Sequence, residues 1–229
     1  MNNFENLLIK LSTEAASVLP DSINKIDFCK LDLSVFNDAI RPEVFESSVL
    51  LENFVWAQMK RNNAKVAVGG YLEPRGIYRR STHFNEGDTL TERNIHLGLD
   101  LWIEAGTPIF APLNAEVHSF KNNQNFGDYG PTIILKHQVE GFEFYTLYGH
   151  LSLESLKNLL VGQKIAKGQQ IATLGTATVN GDYPPHLHFQ IIKDIEDYSG
   201  DYPGVCSKLE LGYYMKNCPN PDLLINLFN

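Results

Sequence analysis

Asn94-Ile95-His96-Leu97-Gly98-Leu99-Asp100-Leu101-Trp102 sets His96, Gly98 and Asp100 against Leu97, Leu99 and Leu101. A period of two marks a half-buried strand, with the polar set on one face and the leucines in a core. On a straight strand His96 and Asp100 would stand roughly 13 Å apart, too far to share one ion, so Gly98 is expected to permit a bend or bulge. Pro184-Pro185-His186-Leu187-His188-Phe189-Gln190-Ile191 alternates in the same way. It places His186, His188 and Gln190 on one face, with the two imidazoles roughly 7 Å apart. In Phe144-Tyr145-Thr146-Leu147-Tyr148-Gly149-His150 a strand gives way to a loop at His150, a common location for functional groups. Taken singly, these stretches fit a solvated aspartate, an edge-strand histidine pair and a turn histidine equally well. Their combination is what is specific.

Outward from these stretches, the chain from Ala64 onward is a series of short β-type runs punctuated by Gly, Pro and Asn: AKVAVGG, TPIFAP, AEVHSF, PTIILKH, FEFYTLYGH, QKIAKGQQIATLG and HLHFQII. They predict an antiparallel β-sandwich or barrel-like core. Upstream, Phe4, Leu7, Leu8, Leu11, Ala15 and Val18 keep a three-and-four spacing that predicts a helix over 4–18, ended by Pro20. A second helix is expected over 42–61, with Pro42 at its first position and Phe45, Val49, Phe54 and Met59 on its apolar face. Short helices are expected over 153–160 and 222–228. The fold class is therefore mainly β, with residues 1–93 as an N-terminal helical extension packed on the core, 94–192 as the β core and 193–229 as a tail with a short helix.

With 43% hydrophobic and 11% aromatic residues in 229, the chain can bury a sizeable core. No apolar run reaches the length of a membrane span. The formal charge of −8, with no basic stripe, disfavours nucleic-acid binding. Cys29, Cys206 and Cys218 have no metal-type spacing and are expected to be isolated buried thiols. The first residues, with Glu5 and Glu14, lack the basic start and apolar stretch of a secretory signal, so a cytoplasmic location is expected.

A catalytic zinc takes three N or O protein ligands and keeps a fourth position open. Two histidines and one aspartate suit it, and without a His-Glu-x-x-His helix the general base must come from the remaining histidines. The His96-Leu97-Gly98-Leu99-Asp100 run, GTPIFAPLNAEV, FYTLYGHLS, VGQKIAKGQQIATLG and PPHLHFQI, in that order, resemble the lysostaphin-type (LytM-like) zinc metallopeptidases, a family of peptidoglycan endopeptidases. The resemblance covers roughly residues 94–192. It implies one Zn2+ per chain on His96, Asp100 and His188, and His150 with His186 as the catalytic pair, every position being filled. It implies hydrolysis of amide bonds in peptidoglycan-type or related peptides by zinc-activated water, with either histidine as the base. Activity should then fall on acidification through the histidine range near 6.5. Two rival functions are a zinc amidohydrolase acting on a small cytoplasmic metabolite and a peptide-binding module without turnover.

The segment 66–88, with Gly69, Gly70, Arg75, Tyr78, Arg79, Arg80 and His83, is expected to line the groove, occlude it, or dock as a plain loop. His118 and His137 are expected to be structural. The 163–175 stretch looks like half of a lipoyl-type hairpin but lacks its acceptor lysine, which excludes a carrier role.

Overall fold

The computed structural model describes residues 2–80, 88 and 90–228, and His83 lies outside them. In chain order the elements are α1 (Asn3–Ser12), β1 (Phe28–Leu31), α2 (Ser48–Arg61), β2 (Val66–Gly69), β3 (Ile95–His96), β4 (Leu99–Trp102), β5 (Pro108–Phe110) and β6 (Ala115–Asn123). They continue with β7 (Gly130–Val139), β8 (Phe142–Gly149), β9 (Lys164–Ile165), β10 (Gln170–Thr173), β11 (His186–Ile192), β12 (Val205–Cys206), α3 (Leu211–Asn217) and α4 (Asp222–Ile225). Eight strands form one open sheet in the order β1-β2-β4-β11-β8-β7-β6-β9, and β5 with β10 and β3 with β12 make two small pairs. The fold is mainly β and does not close into a barrel. Its pairings are antiparallel except that β1 runs parallel to β2, so residues before position 94 supply two strands of the same sheet as well as helices.

The two-residue period gives each face of this sheet a different job. Leu99 and Leu101 of β4, Leu187, Phe189 and Ile191 of β11, and Ile133 and Leu135 of β7 join a core that Phe4, Leu7, Leu8 and Leu11 of α1 cover. On the opposite face, α2 lays Leu51, Val55 and Met59 over Ala67 and Trp102 at one end. At the other end Tyr202, Cys206 and Cys218 pack around Ile134, Leu147 and Ile192. Between these two apolar clusters the same face carries Asp100, His186, His188 and Gln190.

The helices differ from the sequence expectations at their ends. α1 starts at a reciprocal cap, in which Asn2 accepts the Glu5 N–H and Glu5 accepts that of Asn2, and it stops at Ser12. The helix does not reach position 18, because the Ala16 N–H is taken by the Pro112 carbonyl of the core. Residues 42–61 do not form one helix: Pro42–Glu46 is a 3-10 turn, and Ser47 caps α2, which buries Leu51, Val55 and Met59 and leaves Val49 exposed. Over 153–160 only a 3-10 turn at Leu153–Leu156 forms. The last helix ends before Asn226, whose φ of 48° is left-handed. α3 has only seven residues, with Leu211 and Tyr214 half-buried and Asn217 buried, too short an apolar pattern to stand out in the sequence. Cys29, Cys206 and Cys218 are free and buried. Among the described residues no helix is long and apolar enough to cross a membrane.

Candidate metal and histidine site

The bend expected at Gly98 is a complete break between strands. β3 pairs with β12, while β4 lies between β2 and β11, and Leu97 and Gly98 connect them. His96 Nε2 consequently lies 3.2 Å from Asp100 Oδ1. Glycine is required here for space, since a Cβ on residue 98 would come 2.5 Å from His188 Cε1 and 2.6 Å from its Nε2. His188 sits in β11 directly opposite Asp100 of β4 on one side and Gly149 of β8 on the other. Its Nδ1 is 3.1 Å from Asp100 Oδ1 and 2.9 Å from His96 Nε2. One donor atom from each of His96, Asp100 and His188 thus lies within 4.8 Å of the others, a set that could hold a metal ion.

The outer partners of the two imidazoles decide which nitrogens face each other. His96 Nδ1 donates to the Gly70 carbonyl at 2.9 Å. His188 Nε2 donates to Gln190 Oε1 at 2.9 Å, and the Gln190 amide nitrogen is itself committed to the Pro203 carbonyl and Cys218 Sγ, at 3.1 and 3.3 Å. The Tyr129 hydroxyl is farther from His188 Nε2, at 3.4 Å. With those hydrogens fixed outward, His96 Nε2 and His188 Nδ1 turn lone pairs on each other across 2.9 Å, beside an acceptor-only carboxylate oxygen. Three converging acceptors are mutually repulsive until a cation lies among them. The donor set therefore fits a divalent ion of nitrogen and oxygen preference.

Burial bears on the charge states of His96, Asp100, His150 and His186, each at most 5% exposed. Burial, followed by the Arg75 charge, pushes His96 down to about 4 and keeps it a neutral donor. Burial acts the other way on Asp100, but the facing His96 and Arg75 outweigh it and hold the carboxyl well below the usual range. Burial likewise pushes His186 down to about 4 and, aided by His186 and His188, lowers His150 well below the ordinary imidazole value.

His150 and His186 stand beside this cluster with ring centroids 4.2 Å apart. His150 follows the end of β8 in a left-handed conformation, φ 62°, which turns the chain out of the sheet. Its Nδ1 donates to the Asn180 carbonyl and that of His186 to the Pro184 carbonyl, both at 2.8 Å, leaving each Nε2 as the free acceptor. Trp102, opposite His186 in the sheet, stacks on its ring at 4.0 Å. Both histidines line a cavity of about 190 Å³ together with Asp100, His188, Tyr129 and Tyr183.

The segment before β3 divides its charges. Arg75 and Tyr78 line the cavity, whereas Arg79 pairs with Glu92 and Arg80 with Asp182. His118 bonds Ser119, and His137 is buried between the Asn114 carbonyl and the Thr146 hydroxyl, both apart from the cluster. Sequence reasoning placed Arg75 in a segment expected to line or occlude the groove, but it gave no role to Gln190 and no link between Arg75 and Asp100. Gln190 shares the two-residue period of His186 and His188, a legible signal, but Arg75 reaches Asp100 from twenty-five positions away and left none.

Two histidines and an aspartate around one point, flanked by the neutral His150 and His186, are groups of the kind a metal-dependent hydrolase uses. Residues 94–199 match the model of peptidase family M23, in keeping with the lysostaphin-type resemblance. An uncharacterized metalloprotease of Haemophilus influenzae is 35% identical over 95 residues, 42% of this chain and 18% of that protein. The peptidoglycan DD-endopeptidase ShyC of Vibrio cholerae is 34% identical over 98 residues, 42% of this chain and 20% of that protein. The matched stretch thus spans about a fifth of the length of these relatives. Among solved structures, the catalytic domain of lysostaphin from Staphylococcus simulans aligns at 24% identity over 53% of this chain and 80% of that one, with a TM-score of 0.37.

Proposed function

We propose that this chain is a zinc-dependent metallopeptidase that hydrolyses amide bonds in peptidoglycan-type or related peptides, with zinc on His96, Asp100 and His188 and with His150 and His186 moving protons. The observation that carries the reading is the pair of opposed lone pairs on His96 and His188 beside Asp100 Oδ1. The similarity of the core to a peptidoglycan DD-endopeptidase supports the substrate class. Zinc held by these three residues would supply Lewis acidity, polarising a carbonyl and making water a stronger acid.

The chain's own residues supply the rest. His150 and His186, neutral near pH 7, each offer Nε2 to the cavity, and whichever lies nearer the water accepts its proton. The imidazolium so formed stabilises the charge developing on the amide oxygen or returns the proton to the departing amine. Trp102 and the two carbonyl acceptors hold these rings in place, so no rotation is needed during the reaction.

A small amide as substrate is the second reading, favoured by a cavity of about 190 Å³, below the roughly 300–1,000 Å³ of pockets that take drug-sized ligands. One experiment separates the readings: metal content of the purified chain, then mass spectrometry of products from muropeptides, glycine-rich peptides and small N-acyl compounds. Zinc-dependent cleavage of a cross-linked muropeptide supports the first, turnover of small amides alone supports the second, and a metal-free, inactive chain refutes both.

A further inference from the structure

We propose that Arg75 is a positioning residue for the metal centre, which takes one oxygen of Asp100 out of reach of the ion so that the carboxylate presents a single oxygen to it. The inference rests on the metallopeptidase reading and extends it to a residue outside the ligand set.

The two oxygens of Asp100 have different surroundings. Oδ1 faces both imidazoles, at 3.1 Å from His188 Nδ1 and 3.2 Å from His96 Nε2. Oδ2 accepts a hydrogen bond from Arg75 Nη1 at 2.5 Å and lies 3.9 Å from His186 Nε2, beyond hydrogen-bond range. Arg75 therefore also keeps the carboxylate off the histidine whose free nitrogen serves the reaction.

The guanidinium is fixed from several directions. Arg75 Nε donates to Glu73 Oε2 at 2.5 Å, and Glu73 Oε1 accepts the Leu33 N–H at 3.1 Å. The same stretch holds His96: its N–H donates to the Glu73 carbonyl and its own carbonyl accepts the Leu72 N–H. Gly69, opposite Asp100 in β2, leaves room for the head group, because a Cβ there would come 2.9 Å from Arg75 Nη2 and 3.2 Å from Trp102 Nε1. The planar fork meets two carboxylates in a fixed geometry, which the point charge of an ammonium on a flexible stem does not impose. Arg75 is 2% exposed, so water does not dilute the contact.

A carboxylate with both oxygens free can chelate an ion, which raises the coordination number and suits larger, oxygen-preferring cations better than four-coordinate zinc. The test replaces Arg75 by Met, alone and with Glu73→Gln so that no second buried carboxylate loses its partner, and by Lys. Each protein is stripped and reloaded with Co2+, its visible spectrum is recorded, and Zn2+ and Mn2+ affinities are measured by chelator competition; no activity measurement is needed. In folded Glu73→Gln/Arg75→Met the cobalt bands should weaken, as coordination rises above four, and the Zn2+ to Mn2+ affinity ratio should fall about tenfold or more, with Arg75→Lys between it and the parent. A parental spectrum and parental ratio in the folded double variant would overturn the role of Arg75 alone. Absence of ion binding by the parent chain would overturn the metal reading, and the inference with it.

Discussion

Gly98→Ala adds one methyl group, and its cost follows from where His188 lies. The new Cβ would stand 2.5 and 2.6 Å from His188 Cε1 and Nε2 and 3.0 Å from the Phe189 carbonyl oxygen, whereas ordinary contact begins near 3.4 Å. The ring has to retreat by almost 1 Å. It cannot do so freely, because β11 is paired on both sides and Gln190 holds Nε2. Overpacking of this kind costs about 1–3 kcal/mol. At roughly 2–4 °C per kcal/mol for a chain of this size, the thermal midpoint should fall by about 2–12 °C. The larger effect falls on the ion, because His188 Nδ1 leaves its position between His96 and Asp100. Disturbing the support of a ligand costs about 10- to 100-fold in metal affinity, and displacing the ligand itself should cost at least that much. Differential scanning calorimetry of the metal-free protein and zinc titration against a fluorescent chelator read the two effects separately. Parental affinity in Gly98→Ala would refute the placement of His188 as a ligand.

His150→Ala and His186→Ala should retain zinc by metal analysis and lose about 10²- to 10⁴-fold in turnover; loss of metal from either would move that residue into the ligand set. His137, pushed down to about 4 by burial, lies below its unfolded value near 6.5, so its contribution to stability is complete above about 6.5 and is lost as pH falls towards 4. Between pH 7.5 and 5 that loss is about 1.5 pH units at 1.36 kcal/mol each, roughly 2 kcal/mol, and urea titrations should show it shrink in His137→Gln; an unchanged difference would refute the assignment. With His186 also pushed down to about 4, the acidic limb of the activity profile should lie below the 6.5 of an unperturbed histidine, and a midpoint at or above 6.5 in initial-rate measurements would contradict its burial. Residues 84–229 expressed alone lack β1, β2 and the covering faces of α1 and α2, so the fragment should be less soluble and bind zinc more weakly; a soluble fragment of parental affinity would show that the core stands by itself.

By itself the sequence determined what a local period can encode. The alternation in 99–102 and 186–191 separates leucines from Asp100 on β4 and apolar residues from His186 and His188 on β11, because side-chain direction in a strand depends only on neighbouring residues; Leu97, across the break at Gly98, joins the cluster on the other face. Strand rise called for a bend or bulge at Gly98 if His96 and Asp100 were to share one ion, and the structure makes it a complete break. Helix ends were less legible: Ser47 and Asn2 act through backbone groups that are free only once the chain has chosen its path, and α1 stops where a carbonyl of the core takes the Ala16 N–H. Tertiary structure alone decided which nitrogen of each histidine faces the site. That choice depends on the Gly70 carbonyl for His96 and, through Gln190, on the Pro203 carbonyl for His188, groups brought in from distant parts of the chain. It also decided that Arg75, far from Asp100 in sequence, closes over one of its oxygens. A hydrogen bond is fixed by position in space to within a fraction of an ångström, and residue order constrains that position only after the sheet has assembled.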